Sequence, residues 1–233
     1  MDIKELTMKL LEIKNKGLIQ THRSHDTGIG KTLEDLLGIQ ENNIQLPDIG
    51  DIELKSKRIN SQSMLTLATK SPLPRSVNKY LFLKYKYKDD DGSYCLHSTV
   101  YGSSYNRQGF KVVFQDNNIV LLNRENIRAY WPITIFGDIL KSKSNKIVLV
   151  FAKTVGKRGT IKEYFHFTEA YLLSNLNINK FRLAIEQNKL KIDIRIGSFK
   201  SGINMGKYHD HGTGFRINKR DFLYIYDNFE QLI

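Results

Sequence analysis

The sequence predicts a mixed α/β chain of the α+β kind, in which helices accompany antiparallel hairpins rather than the strands of a doubly wound sheet. Three observations lead there. Residues 3–16 set Ile3, Leu6, Leu10 and Ile13 at helical spacing. Apolar runs flank three short polar turns, KDDDG at 88–92, DNN at 116–118 and VGKRG at 155–159. A second helical pattern, NKFRLAIEQNKL at 179–190, leads into the alternating strand KLKIDIRIG at 189–197.

In chain order, the first helix stops at Gly17. THRSHDTGIG, 21–30, is a polar loop, and KTLEDLLG, 31–38, a short helix ended by Gly38. The loop ENNIQLP, 41–47, precedes the strand DIELKSKR, 51–58. SMLTLATK, 63–70, is a second strand and SPLPR, 71–75, a turn. YLFLKYKY, 80–87, and SYCLHSTVYG, 93–102, read as strands around the acidic turn, as do GFKVVFQ, 109–115, and IVLLN, 119–123. Residues 124–142 read as helical or irregular. NKIVLVFAKT, 145–154, and TIKEYFHF, 160–167, form another hairpin, and the helix at 179–190 takes Asn179 as its N-cap. The tail after Ser198 is loop-rich and closes on an apolar-aromatic segment. Trp131 and Cys95 read as core. With no repeat or linker, residues 1–233 form one domain, with approximate parts at 1–140 and 141–233.

The net charge is +12, and it is unevenly spread. Residues 1–140 hold 19 Lys and Arg against 16 Asp and Glu, whereas residues 141–233 hold 17 against 8. A polyanion is the natural partner of such a chain, because Lys and Arg that meet phosphates release counterions. No apolar run approaches the roughly 18 residues of a membrane span. The N-terminus lacks the apolar core of a signal peptide, and the one cysteine excludes an internal disulfide. A cytoplasmic protein is expected.

The chemistry concentrates in LPDIGDIELKSKR, 46–58. Strand alternation puts Glu53, Lys55 and Lys57 on one face and Ile52, Leu54 and Ser56 on the other. Asp48, after Pro47, turns back toward Glu53. Two converging carboxylates make a hard-oxygen site for a divalent cation, and a lysine beside them orients or deprotonates water or stabilises developing negative charge. That is equipment for metal-assisted phosphodiester hydrolysis. Glu34 adds a third carboxylate, one turn into the short helix and off its Leu33, Leu36 and Leu37 face. E-x-K strands are common and carry little weight alone; the P-D-x4-E-x-K frame is more specific.

TGIGKTLEDLLGIQENNIQLPDIGDIELKSKR, 27–58, resembles the N-terminal signature of the MvaI/BcnI family of type II restriction endonucleases, relatives of the mismatch-repair nicking enzyme MutH. The T-G-I-G-x-T-L-E helix, E-N-N loop, P-D-I-G turn and E-L-K strand occur in order, and KYHDHGTGFRI, 207–217, is similar to the family's recognition loop. The resemblance implies a restriction-endonuclease-like core, a mixed sheet flanked by helices, with two lobes forming a DNA-binding cleft. It implies Mg²⁺ held by Asp48 and Glu53, a water positioned by Lys55, and support from Glu34. It also implies a monomer that cuts double-stranded DNA at a short C·G-rich site of the CCNGG type, leaving 5′-phosphates, with a DNA methyltransferase as genetic partner. Arg58, in the segment after the active strand, is expected at the DNA backbone or minor groove.

In KLKIDIRIG, Ile192, Ile194 and Ile196 face one side and Lys191, Asp193 and Arg195 the other. Arg donates twice to guanine O6 and N7, and Asp accepts from cytosine N4, so this face suits a G·C pair. The tail loop adds His209, His211 and Arg216, with Gly212 and Gly214 allowing close approach to a groove. The resemblance makes Asp193, Arg195, His209, His211 and Arg216 the base-reading set. Two other functions remain open to the sequence: a MutH-like nicking enzyme, and a non-catalytic DNA-binding protein on the same fold.

Overall fold

The computed structural model describes residues 1–40, 47–134, 137, 138, 140 and 144–233. The E-N-N loop expected at 41–43 lies outside these. In chain order the elements are α1 (Ile3–Asn15), β1 (Ile19–Gln20), α2 (Gly28–Leu37), β2 (Glu53–Arg58), β3 (Leu65–Thr69), α3 (Val77–Tyr85), β4 (Tyr87–Lys88), β5 (Tyr94–Val100), β6 (Lys111–Gln115), β7 (Asn118–Leu122) and β8 (Ala129–Pro132). They continue with β9 (Lys146–Val155), β10 (Tyr164–Leu176), α4 (Ile178–Glu186), β11 (Leu190–Ser198), β12 (Tyr208–Asp210), β13 (Gly214–Ile217), a 3₁₀ turn at Lys219–Tyr224 and β14 (Tyr226–Gln231).

Two compact units are woven from one chain. The first takes Met1–Ser63, Lys141–Leu176 and Tyr226–Ile233; the second takes Met64–Leu140 and Asn177–Ile225. The parts expected at 1–140 and 141–233 do not coincide with these units. The reason is strand pairing: β9 returns to run parallel to β2, with Lys55 opposite Leu149.

In the first unit, a five-stranded sheet runs β1-β10-β9-β2, with β14 also paired to β10. β9 is its middle, and Ile147 to Ala152 are buried without a break, as a strand covered on both faces requires. Asp2 caps α1 by accepting from Glu5 N at 2.8 Å, and Leu6, Leu10 and Ile13 face inward. They join Ile29, Leu33 and Leu37 of α2, Leu54 of β2, and Val148, Val150 and Ala152 of β9 in one core. α2 starts three residues earlier than the sequence suggested. Gly28 makes this possible, since a Cβ there would sit 2.3 Å from the Arg23 carbonyl oxygen, and Thr32 Oγ1 returns a bond to Gly28 O at 2.7 Å.

In the second unit, a six-stranded sheet runs β3-β13-β11-β5-β4 with β12 on β11, and β6-β7-β8 form a separate antiparallel sheet. Ile192, Ile194 and Ile196 are buried with Leu96, Val100, Phe215 and Ile217. Three expectations need correction here. YLFLKYKY is mostly helical: Val77, Leu81 and Phe82 are buried while Tyr80 and Leu83 face solvent, which is a helical rather than an alternating pattern. The 124–142 segment contains β8, where buried Ala129 and Trp131 alternate with half-exposed Tyr130 and Pro132. The cap of α4 is Asn177, not Asn179, and its side chain accepts from Asn179 N and Lys180 N.

Candidate functional site

The turn before β2 brings Asp48 to the strand. Ile49 and Ile52 exchange backbone bonds of 3.0 and 2.8 Å, and Gly50 between them takes a φ of +59°, a left-handed conformation that favours glycine. Both isoleucines are buried, so the core fixes the turn. The chain doubles back, and Asp48 Oδ2 accepts from Leu54 N at 2.8 Å. Asp48 itself stays exposed.

Lys55 Nζ donates to Glu53 Oε1 at 2.8 Å, so strand alternation has put the two on one face. Glu53 is buried, and its Oε2 has no hydrogen-bond partner. An unpaired buried carboxylate oxygen is costly, and a hard divalent cation relieves that cost. Among the described residues no three His, Cys, Asp or Glu side chains gather to hold a metal alone. Two carboxylates nonetheless fit Mg²⁺, which usually takes only one or two and fills its octahedron with water and substrate phosphate. α2 packs against β2, and Gly30 stands at that contact: a Cβ there would lie 3.7 Å from Ser56 Oγ and 3.8 Å from Glu34 Oε1. Half-buried Glu34 and Ser56 of β2 thus both border Gly30, and Ser56 lies on the strand face opposite to Glu53 and Lys55.

Arg58 corrects the expectation that it meets DNA. Its Nε and Nη2 grip both Glu163 oxygens at 2.7 and 2.8 Å, and Nη1 donates to the Asp26 carbonyl at 3.2 Å. The guanidinium is buried 5.4 Å from the Phe165 ring centroid. Alternation already held the signal, because position 58 shares the Leu54 and Ser56 face. Glu163 also accepts from Gly159 N at 2.9 Å, and the Arg58 guanidinium holds its carboxyl below the usual carboxylate range against the opposing effect of burial.

The second unit gathers the expected readers on the polar face of its sheet. Asp193, Arg195, His211 and Arg216 line a cavity of about 450 Å³ with His97, Ser98 and Thr99. Arg216 Nη1 donates to Asp193 Oδ2 at 2.7 Å and Nη2 to Met64 O at 3.1 Å. Asp193 Oδ1 and Arg216 Nε are buried without partners, one free acceptor and one free donor. Arg195 donates to Gly212 O and Thr69 Oγ1, both at 3.3 Å, and lies over Gly214, where a Cβ would stand 3.4 Å from Cζ. His209 stacks on Phe199 at 4.2 Å, and its ring centroid is 4.1 Å from that of His211. Burial, then the neighbouring His209, Arg195 and His97, push the His211 pKa down, while Asp210 opposes them. Asp210 holds this loop by accepting from Asn78 Nδ2 at 2.9 Å, Ser71 Oγ at 3.1 Å and Gly212 N at 2.8 Å.

Sequence reading missed His97 and Thr99, which β5 pairs opposite Arg195 and Asp193. Only the strand register could have shown them.

The model of the MvaI/BcnI restriction endonuclease family matches residues 7–226. The chain belongs to that family. It is a site-specific deoxyribonuclease with the restriction-endonuclease fold. Among solved structures, it is similar to the restriction endonuclease MvaI in complex with its cognate DNA substrate, at 32% identity and a TM-score of 0.87 over 100% of both chains. It is also similar to MvaI in the absence of DNA, at 32% identity and a TM-score of 0.58 over 100% of this chain and 99% of that one. No curated protein matches. Among the described residues no helix is long and apolar enough to cross a membrane.

Proposed function

We propose that this MvaI/BcnI-type endonuclease is Mg²⁺-dependent and cuts double-stranded DNA at a short C·G-rich site of the CCNGG type, leaving 5′-phosphate and 3′-hydroxyl ends. The observation that carries the metal reading is Glu53 Oε2, buried and without a donor, next to Lys55 and the strand-bound Asp48. Asp48 and Glu53 hold the Mg²⁺, which when bound neutralises charge on the scissile phosphate. Lys55, tethered by Glu53, orients the attacking water and takes up or shares its proton. Glu34 supports the arrangement from α2.

Base reading falls to Asp193, Arg195, His209, His211 and Arg216. What supports it is the pair of unsatisfied buried atoms, Asp193 Oδ1 and Arg216 Nε, since a cytosine amino group and a guanine edge are the partners those atoms lack. The similar MvaI structure holds cognate DNA, which agrees with a duplex as the substrate. The enzyme acts as a monomer in the cytoplasm, beside a methyltransferase that protects the host's own sites. The test is cleavage of duplexes carrying CCNGG-type sites with Mg²⁺ and with EDTA, beside the Lys55→Ala variant. Metal-independent cutting, or equal cutting of unrelated sequences, refutes the reading.

A further inference from the structure

Next to the reader cavity lies a second one of about 720 Å³, lined by Tyr87, Tyr101, Asn106, Arg107 and Gln108. The two share His97, Ser98 and Thr99 of β5, so they form consecutive stretches of one polar sheet face. Asn106, Arg107 and Gln108 of the segment 102–109 line the second cavity, and hydrogen bonds hold that segment. Asn106 Nδ2 donates to Ser98 Oγ at 2.8 Å and to Thr99 O at 2.9 Å, while its Oδ1 accepts from Gln108 N and Phe110 N at 3.0 and 2.9 Å. Asn188 Oδ1 accepts from Gly102 N and Ser103 N at 3.0 and 3.2 Å. Gly102 has no room for a side chain, since a Cβ would stand 2.3 Å from Ile185 O.

This scaffold presents a cation with nothing to bind. Arg107 is exposed and makes no ion pair or hydrogen bond through its side chain among the described residues. Lys191, on the same face as Asp193 and Arg195, stands with Nζ 5.9 Å from the Tyr101 ring centroid and adds a second positive charge there. A hydrogen-bonded loop holding an unpaired guanidinium beside a polar, basic groove is suited to a phosphate, to which Arg donates in fork geometry.

We infer that the 102–109 loop is a backbone clamp: Arg107, assisted by the Gln108 amide, grips a phosphate of the duplex segment next to the one read by Asp193, Arg195 and Arg216. This rests on the base-reading function proposed above. Such a contact carries no sequence information; it sets register and adds a salt-dependent share of affinity. One lost phosphate contact lowers the slope of log affinity against log salt by about 1 and weakens binding about tenfold at 0.1 M salt.

The experiment measures binding of the parent and of Arg107→Ala to a cognate duplex in EDTA across a salt series, with phosphate-ethylation interference on both. Expected is a slope reduced by about 1 and one interfering phosphate present for the parent and missing for the variant. Discrimination between cognate and non-cognate duplexes stays as in the parent. An unchanged slope with an identical interference pattern overturns the clamp while leaving the base-reading function standing. A parent that binds cognate and non-cognate duplexes equally overturns the base-reading function, and the clamp with it.

Discussion

Lys55 Nζ donates to Glu53 Oε1 at 2.8 Å and leaves Glu53 Oε2 buried without a donor. The lysine thus satisfies one side of the carboxylate and leaves the other without a partner, on the strand to which Asp48 is tied through Leu54 N.

That geometry separates the two jobs of Asp48. In Asp48→Asn the amide oxygen still accepts from Leu54 N, so thermal stability stays near the parent's while cleavage is lost with the carboxylate charge. Asp48→Ala loses cleavage and, with the backbone bond, about 1 kcal/mol of stability. Unfolding curves and plasmid cleavage on the two variants check this. Lys55→Ala likewise abolishes cleavage with specific binding retained, and loss of binding in both Asp48→Ala and Lys55→Ala would mean that the site is misplaced.

Arg58 and Glu163 hold the far end of β2 to the tip of the β9–β10 hairpin. Removing one partner leaves a buried unpaired charge, so Glu163→Ala costs about 3–5 kcal/mol. The Glu163 pKa is depressed on folding, so its stabilisation is complete above the ordinary value of 4.5 and is lost as pH falls through the lower folded value. Denaturant unfolding of Glu163→Gln between neutral and acid pH therefore shows a shallower acid loss than the parent; parallel curves would contradict it.

Arg195→Ala costs about 1–3 kcal/mol in specific binding and relaxes discrimination at one base pair. Competition between cognate and singly altered duplexes measures both. An unchanged preference removes Arg195 from the readers.

His211 titrates below the ordinary histidine value of 6.5, because its burial and the cationic or ionisable neighbours Arg195, His209 and His97 outweigh Asp210. An NMR titration of the ring protons finds its midpoint below 6.5, and a midpoint above that value would contradict the packing described.

The arrangement of the proposed catalytic set was legible because it is local. Asp48, Glu53 and Lys55 fall within one turn and one strand, where alternation alone decides the faces. The shared face of Lys191, Asp193 and Arg195 on β11 was legible for the same reason. What escaped depends on register or competition. His97 and Thr99 come beside Arg195 and Asp193 only through the pairing of β5 with β11, and Arg107 reaches its proposed place only through the Asn106 bonds that hold its loop. Val77–Tyr85 misled because its aromatic and apolar residues favour strands in isolation, whereas packing of Val77, Leu81 and Phe82 selects the helix. Arg58 misled because charge was weighed above the face it occupies.

The measurement that tests the central claim most directly is cleavage of an unmethylated plasmid library by the purified protein, with Mg²⁺ and with EDTA, reading every fragment end. Discrete ends at one C·G-rich sequence, carrying 5′-phosphates and formed only with Mg²⁺, are expected. Specific binding without any metal-dependent cut would contradict the account and reduce Asp48, Glu53 and Lys55 to an inherited remnant.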